Sequence, residues 1–123
     1  MAKTILVVDD SVTVRQQVSL ALKQAGFVVT EAADGQEGLS IIEANRNIDM
    51  VVCDVSMPRM NGLEMVEAVR QRPEHRALPI LMLTTEGQPA MIRRAKEAGA
   101  VGWIVKPFNA TQLVQTAKHL TKA

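Results

Sequence analysis

The chain has 123 residues, 47% of them hydrophobic and 22% charged, with a formal net charge of +1. That length suits one domain burying about two thirds of its extended surface, and so even a charge balance argues against nucleic-acid or membrane-surface binding. A single cysteine leaves no internal disulfide or cysteine-rich zinc site.

The first predicted element is a strand over residues 4–8, a run of β-branched residues and Leu expected to be buried on both faces. At five apolar residues ended by Asp9 it is too short for a signal peptide, and nothing later approaches a membrane span, so a cytoplasmic setting is expected. Ser11 is placed to cap a helix through about residue 25, with Val14, Val18, Ala21 and Leu22 on its inner face and Gly26 as its stop. A second strand is predicted over 27–30. The Asp34-Gly35 turn then leads into a helix through about Ala44, with Leu39 and Ile42 inward.

The third strand, 49–53, delivers Asp54, and a loop over 55–62 crosses to a helix at about 63–71 carrying Leu63, Val66 and Val69. Pro79 introduces a fourth strand, 80–83, ending at Thr84-Thr85. A helix near 88–98 follows with Met91, Ile92 and Ala95 inward and Gly99 as its stop. The fifth strand is 101–105, and a last helix near 110–121 carries Leu113, Val114, Ala117 and Leu120. Five strand–helix units with short connections imply parallel pairing, right-handed crossovers and helices on both faces of one sheet. The fold class is α/β, a single domain over residues 1–123 with no linker, repeat or effector domain.

The chemistry gathers at strand ends. Asp9 and Asp10 follow the first strand, Asp54 the third, and Lys106-Pro107 the fifth. In an open parallel sheet the carboxyl ends of neighbouring strands converge on one edge, where ligands bind. Crowded carboxylates oppose one another's ionisation, and a hard divalent cation such as Mg²⁺ removes that conflict. A lysine beside them is a point cation suited to a phosphate oxygen. Together these residues read as a magnesium-assisted phosphoryl site.

Five marks in chain order carry a family resemblance: Val8-Asp9-Asp10-Ser11, Asp54-Val55-Ser56-Met57-Pro58, the Asn61-Gly62 turn, Thr84 after the fourth strand, and Lys106-Pro107-Phe108 after the fifth. The chain resembles the receiver domains of two-component response regulators along essentially its whole length. Thr84-Thr85-Glu86 and the Gly102–Phe108 segment are most similar to stand-alone chemotaxis regulators of the CheY type. The resemblance implies a flavodoxin-like sheet in the order 2-1-3-4-5, with five helices.

It also implies roles. Asp54 would be the phosphoacceptor; Asp10 and Asp54 would hold Mg²⁺ directly, Asp9 through water, and the Ser56 backbone carbonyl would be a further ligand. Lys106 and Thr84 would bind phosphoryl oxygens, and the Lys106–Pro107 bond would be cis. The expected donor is a phosphohistidine on a CheA-like sensor histidine kinase, or a small acyl phosphate. The expected output is phosphorylation-dependent binding to a flagellar motor switch or another motility target, with a phosphatase as a further partner. An intermediate place in a phosphorelay is an alternative. Ser56 and Glu86 stand where family members tune phosphate lifetime.

Trp103 departs from the family, which carries Tyr or Phe three residues before the lysine and moves that ring on phosphorylation. Indole is larger and has an N–H donor but no acceptor, so an inward rotamer needs a deeper pocket. The remaining residues read more plainly. Cys53 is expected to be a small buried hydrophobe, His75 and His119 exposed spectators, and Met57, Met60 and Met91 gap fillers. The basic clusters at Arg70, Arg72 and Arg76 and at Arg93, Arg94 and Lys96 read as solvated helix faces.

Rival functions fit less well. A Toprim-type nuclease wants a second acid two residues after Asp54, where Ser56 stands, and a haloacid-dehalogenase-type phosphatase wants its two acids spaced by one residue rather than adjacent. No glycine-rich nucleotide loop follows the first strand. A degenerate receiver acting as a constitutive adaptor would not need the complete set of site residues.

Overall fold

A computed structural model of the protein describes residues 2–123. Its elements alternate: β1 (Thr4–Val8), α1 (Val12–Gln24), β2 (Val28–Ala32), α2 (Gly35–Ala44), β3 (Met50–Cys53), α3 (Gly62–Arg70), a 3₁₀ turn (Pro73–His75), β4 (Ile80–Thr84), α4 (Pro89–Ala98), β5 (Gly102–Val105) and α5 (Ala110–Thr121). The strands form one sheet in the order β2-β1-β3-β4-β5, all neighbours parallel. Expected and observed elements agree throughout. β2 starts one residue later than its pattern suggests and runs on through Ala32.

Four of the five α-helices begin where a side chain replaces a missing backbone partner, and α4 begins instead at Pro89, which has no N–H to satisfy. The Ser11 hydroxyl accepts from Val14 N–H at 3.3 Å, and Asn61 and Glu64 form a reciprocal capping box at the start of α3. Positive φ angles at Gly26 and Gly99, 97° and 116°, mark the stops of α1 and α4.

Two apolar layers flank the sheet. Val18 and Leu22 of α1 and Leu113 and Ala117 of α5 pack with Ile5, Val7, Val52, Leu81 and Leu83 on one face. Ile42 of α2, Met65, Val66 and Val69 of α3 and Ala95 of α4 pack with Leu6, Val8, Val51 and Met82 on the other. Ile5 and Leu6, neighbours on β1, are both fully buried and belong to opposite layers, as the alternation of a strand requires. Met57, Met60 and Met91 pack against the second layer as gap fillers. No helix among the described residues is long and apolar enough to cross a membrane.

Two expectations fail, the first at Arg70, which was expected on a solvated helix face but is half-buried and donates to the Gly99 carbonyl at 2.8 Å. The second is at His75, which was expected to be exposed and is 8% exposed. The 3₁₀ turn tucks it against the lower edge of the sheet, where it lines a hollow with Ile48, Leu78 and Pro79. Arg70 fixes that turn by donating to the His75 carbonyl at 2.8 Å. His119 is exposed, as expected.

Candidate functional site

The upper edge of the sheet collects the residues that the sequence singles out. The backbone N–H of Asp54 donates to the Val8 carbonyl at 3.0 Å, and that of Lys106 to the Thr84 carbonyl at 2.8 Å. The sheet ladder therefore continues one residue past each strand and fixes these side chains at one level. Asp9 joins them through its own N–H, which reaches the Ala32 carbonyl of β2 at 3.1 Å.

Asp9, Asp10 and Asp54 each offer a carboxylate oxygen, and the three oxygens lie within 4.8 Å of one another. Asp9 and Asp54 are buried, 4% and 8% exposed, whereas Asp10 faces solvent. Between the buried pair stands the Lys106 ammonium, 2.8 Å from Asp9 Oδ2 and 3.1 Å from Asp54 Oδ2. Burial would push the lysine's pKa down, but its hydrogen bond to Asp9 and the charges of Asp54 and Asp9 outweigh it and raise the net value. Lys106 is therefore a cation at any ordinary pH, and the repulsion expected among bare carboxylates is already answered for two of the three.

The remaining acceptor atoms are held from below. Ser11 N–H donates to Asp9 Oδ1 at 2.9 Å, and Val55 N–H to Asp54 Oδ1 at 2.7 Å. These bonds fix the carboxylates' rotation and leave the Oδ2 atoms facing the lysine. Gly62 packs tightly here: a Cβ would lie 2.0 Å from the Asp54 carbonyl oxygen, so a larger residue cannot fit without moving the phosphoacceptor candidate. Just beneath, the Cys53 thiol is fully buried, and burial followed by the charges of Asp54 and Asp9 pushes its pKa far upward. It is an inert hydrophobe.

Thr84 is fully buried, and its hydroxyl accepts from Glu86 N–H at 3.3 Å, shaping the loop between β4 and α4. Trp103, one register position from Ile104 on β5, is half-buried and donates from its indole N–H to the Glu86 carbonyl at 2.8 Å. The same short loop is thus tied to Thr84 on one side and to the indole on the other. Ser56 is exposed in the loop after Asp54, and the Lys106–Pro107 bond is cis.

Two contributors were not found in the sequence. Arg15 donates to the Asp9 carbonyl at 2.6 Å and to Glu31 at 2.9 Å, holding the acidic turn against β2. Arg59, in the same loop as Ser56, pairs with Asp34. Spacing offers a faint signal for Arg15, which sits one helical turn after the Ser11 cap, and none for Arg59.

Hard oxygen donors at this spacing fit a small divalent cation, and Mg²⁺ accepts a few carboxylates while keeping waters.

The residues at this edge lie inside a match to the response regulator receiver domain model, which spans residues 5–118. The chain is 41% identical over 105 residues to the chemotaxis protein CheY1 of Helicobacter pylori, covering 85% of each. It is equally similar to a chemotaxis protein CheY homolog of Campylobacter jejuni, covering 85% of this chain and 81% of that one. Among solved structures, the chemotaxis response regulator CheY4 of Vibrio cholerae superposes with a TM-score of 0.91 at 44% identity, covering 98% of this chain and 99% of that one. A CheY-like receiver domain protein of Methanospirillum hungatei gives 0.90 at 29% identity, covering 99% and 95%.

Proposed function

The chain belongs to the response regulator receiver domain family, and from that footing we propose that it takes a phosphoryl group onto Asp54 and signals by binding a protein partner. The observation that carries this reading is the Lys106 ammonium bridging Asp9 and Asp54 at the carboxyl edge of the sheet, 2.8 and 3.1 Å away, with Asp10 alongside.

Asp54 Oδ2 is the nucleophile. It attacks the phosphorus of a phosphohistidine or an acyl phosphate, forming a P–O bond as the bond to the leaving imidazole or carboxylate breaks. The transferring group spreads negative charge over its equatorial oxygens, so catalysis is mostly positioning and charge neutralisation. Lys106, a fixed cation, binds one of those oxygens and in doing so releases its hold on Asp54. The Thr84 hydroxyl, which accepts from Glu86 N–H, keeps its own hydrogen to donate to another as it moves toward the phosphoryl group. Asp10, Asp54 and the Ser56 carbonyl, with Asp9 through water, would hold Mg²⁺, which would supply further neutralisation of the same charge.

Recruitment of Thr84 changes the loop that also holds Trp103, which alters the surface formed by α4, β5 and α5. The partner for that surface belongs to chemotaxis or another motility system, supported by the similarity to chemotaxis proteins. A CheA-like histidine kinase is the donor, a phosphatase the remover, and the cytoplasm the setting. The protein signals rather than turning over a substrate. Incubation with acetyl phosphate tests the core of this reading: intact-mass measurement should show one added phosphoryl group with Mg²⁺ and none with chelator. Addition that proceeds equally in chelator overturns it.

A further inference from the structure

The loop between β3 and α3 contains one backbone outlier, Arg59, at φ 65°. That left-handed region is unfavourable for any residue with a Cβ, so something must hold Arg59 there. Its guanidinium reaches across to Asp34, donating to Oδ2 from Nε at 2.9 Å and also from Nη2. Asp34 is only 4% exposed, and its other oxygen accepts from Glu37 N–H at 2.9 Å as the cap of α2. One carboxylate therefore serves the helix and the loop together.

A second tie lies beside the first. Gly35 N–H donates to the Met60 carbonyl at 3.0 Å, and a Cβ on Gly35 would come within 2.5 Å of that oxygen. The start of α2 thus abuts the loop at consecutive residues, 59 and 60. At the loop's base, Gly62 N–H donates to the Val55 carbonyl at 2.9 Å. Ser56 lies between these fixed ends.

We propose that Arg59 and Asp34 form a latch that positions the Ser56 carbonyl, so that the affinity for a divalent cation is set by an ion pair that does not touch the cation. This rests on the receiver reading of the site. Exposed ion pairs contribute little by themselves, but here one partner is buried and the other occupies strained backbone. Loss of the guanidinium lets φ at residue 59 relax toward negative values. That rotates the peptide planes upstream and turns an oxygen ligand away from the carboxylate cluster. Asp34 and Arg59 are positioning residues, acting through the loop.

Calorimetric titration of Mg²⁺ into the unphosphorylated protein tests the latch. Arg59→Ala and Asp34→Asn should each weaken Mg²⁺ binding about tenfold, the scale of lost outer support at metal sites. Asn still caps a helix, so the second variant removes the ion pair alone. The double variant should be no weaker than either single one, because both break one interaction. Arg59→Lys should recover part of the loss. With acetyl phosphate, the Mg²⁺ needed for half-maximal labelling should rise in Arg59→Ala, while the rate at saturating Mg²⁺ stays near wild type. Ile5→Val, at the opposite end of β1 from Asp9, provides a fold-weakening control and should leave Mg²⁺ affinity unchanged. If Arg59→Ala and Asp34→Asn bind Mg²⁺ like wild type, or Ile5→Val weakens binding as much as they do, the latch is overturned while the receiver reading stands. Wild-type protein that binds no Mg²⁺ overturns both.

Discussion

The indole of Trp103 and the backbone of Glu86 are joined by a 2.8 Å hydrogen bond that spans the gap between β5 and the loop after β4. A phenylalanine at this place could not make it, since only the indole N–H supplies the donor. The loop that Thr84 must reshape is therefore fastened to the aromatic residue expected to move with it. The hydrogen bond ties the indole to that loop.

Fluorescence follows from that coupling, because Trp103 is the chain's single tryptophan. Beryllofluoride with Mg²⁺ should change its emission maximum or its access to a quencher. Thr84→Ala should weaken the change and blunt the accompanying gain in partner affinity, while leaving labelling of Asp54 largely possible. Equal partner affinity gains in wild type and Thr84→Ala would remove this threonine from the switch.

At the acceptor, Asp54→Asn should abolish labelling by acetyl phosphate. The amide oxygen can still accept from Val55 N–H, so circular dichroism and melting temperature should stay close to wild type. Labelling retained in this variant would assign the phosphoryl group to another residue.

Removal of the bridging cation gives a stability prediction. Lys106→Met leaves Asp9 and Asp54 adjacent without a counter-charge and should cost about 1–3 kcal/mol, less than a fully enclosed pair because the site edge opens to solvent. Mg²⁺ should then raise the melting temperature of the variant more than that of wild type, since it takes over the lysine's role. Asp10→Asn removes an exposed charge and should change metal-free stability by no more than about 0.5 kcal/mol. A Mg²⁺-induced shift identical in wild type and Lys106→Met would separate the lysine from the cation site.

Acid unfolding should report the Asp34 carboxylate. The Glu37 backbone hydrogen bond, followed by the Arg59 side chain, holds its pKa below the ordinary 3.8. The unfolded chain then binds the proton first, so this contribution is complete above pH of about 4 and is lost as pH falls through the lower folded value. Asp34→Asn should lower stability at neutral pH and flatten the decline below about pH 4. Parallel acid-unfolding curves for the two proteins would show that the carboxylate is not linked to folding.

Much of the architecture was readable before any coordinates. Short β-branched apolar runs such as Ile5–Val8 fit strands covered on both faces better than helices, and this one ends at a residue with chemistry. The convergence of Asp9, Asp54, Thr84 and Lys106 follows from parallel strands sharing an edge. Partner choice was not readable, because it depends on how far a side chain reaches across space. Lys106 was legible as a cation at the site edge, but its bridge between Asp9 and Asp54 was not. Asp34 read only as a turn residue, since its partner Arg59 lies 25 positions away in an irregular loop. His75 misled because its neighbours Arg72, Glu74 and Arg76 are polar, while the tight turn points only the imidazole inward.

The bond from Lys106 to Asp9 joins residues 97 positions apart, and that from Lys106 to Asp54 residues 52 apart. During synthesis Asp54 leaves the ribosome before Lys106 does, and during that interval this lysine cannot stand beside it. Under the proposed function, an emerging chain would carry the candidate acceptor before its site is complete. On that reading, competence to accept a phosphoryl group would arrive only with the fifth strand, and the chemistry would also report that the sheet is complete.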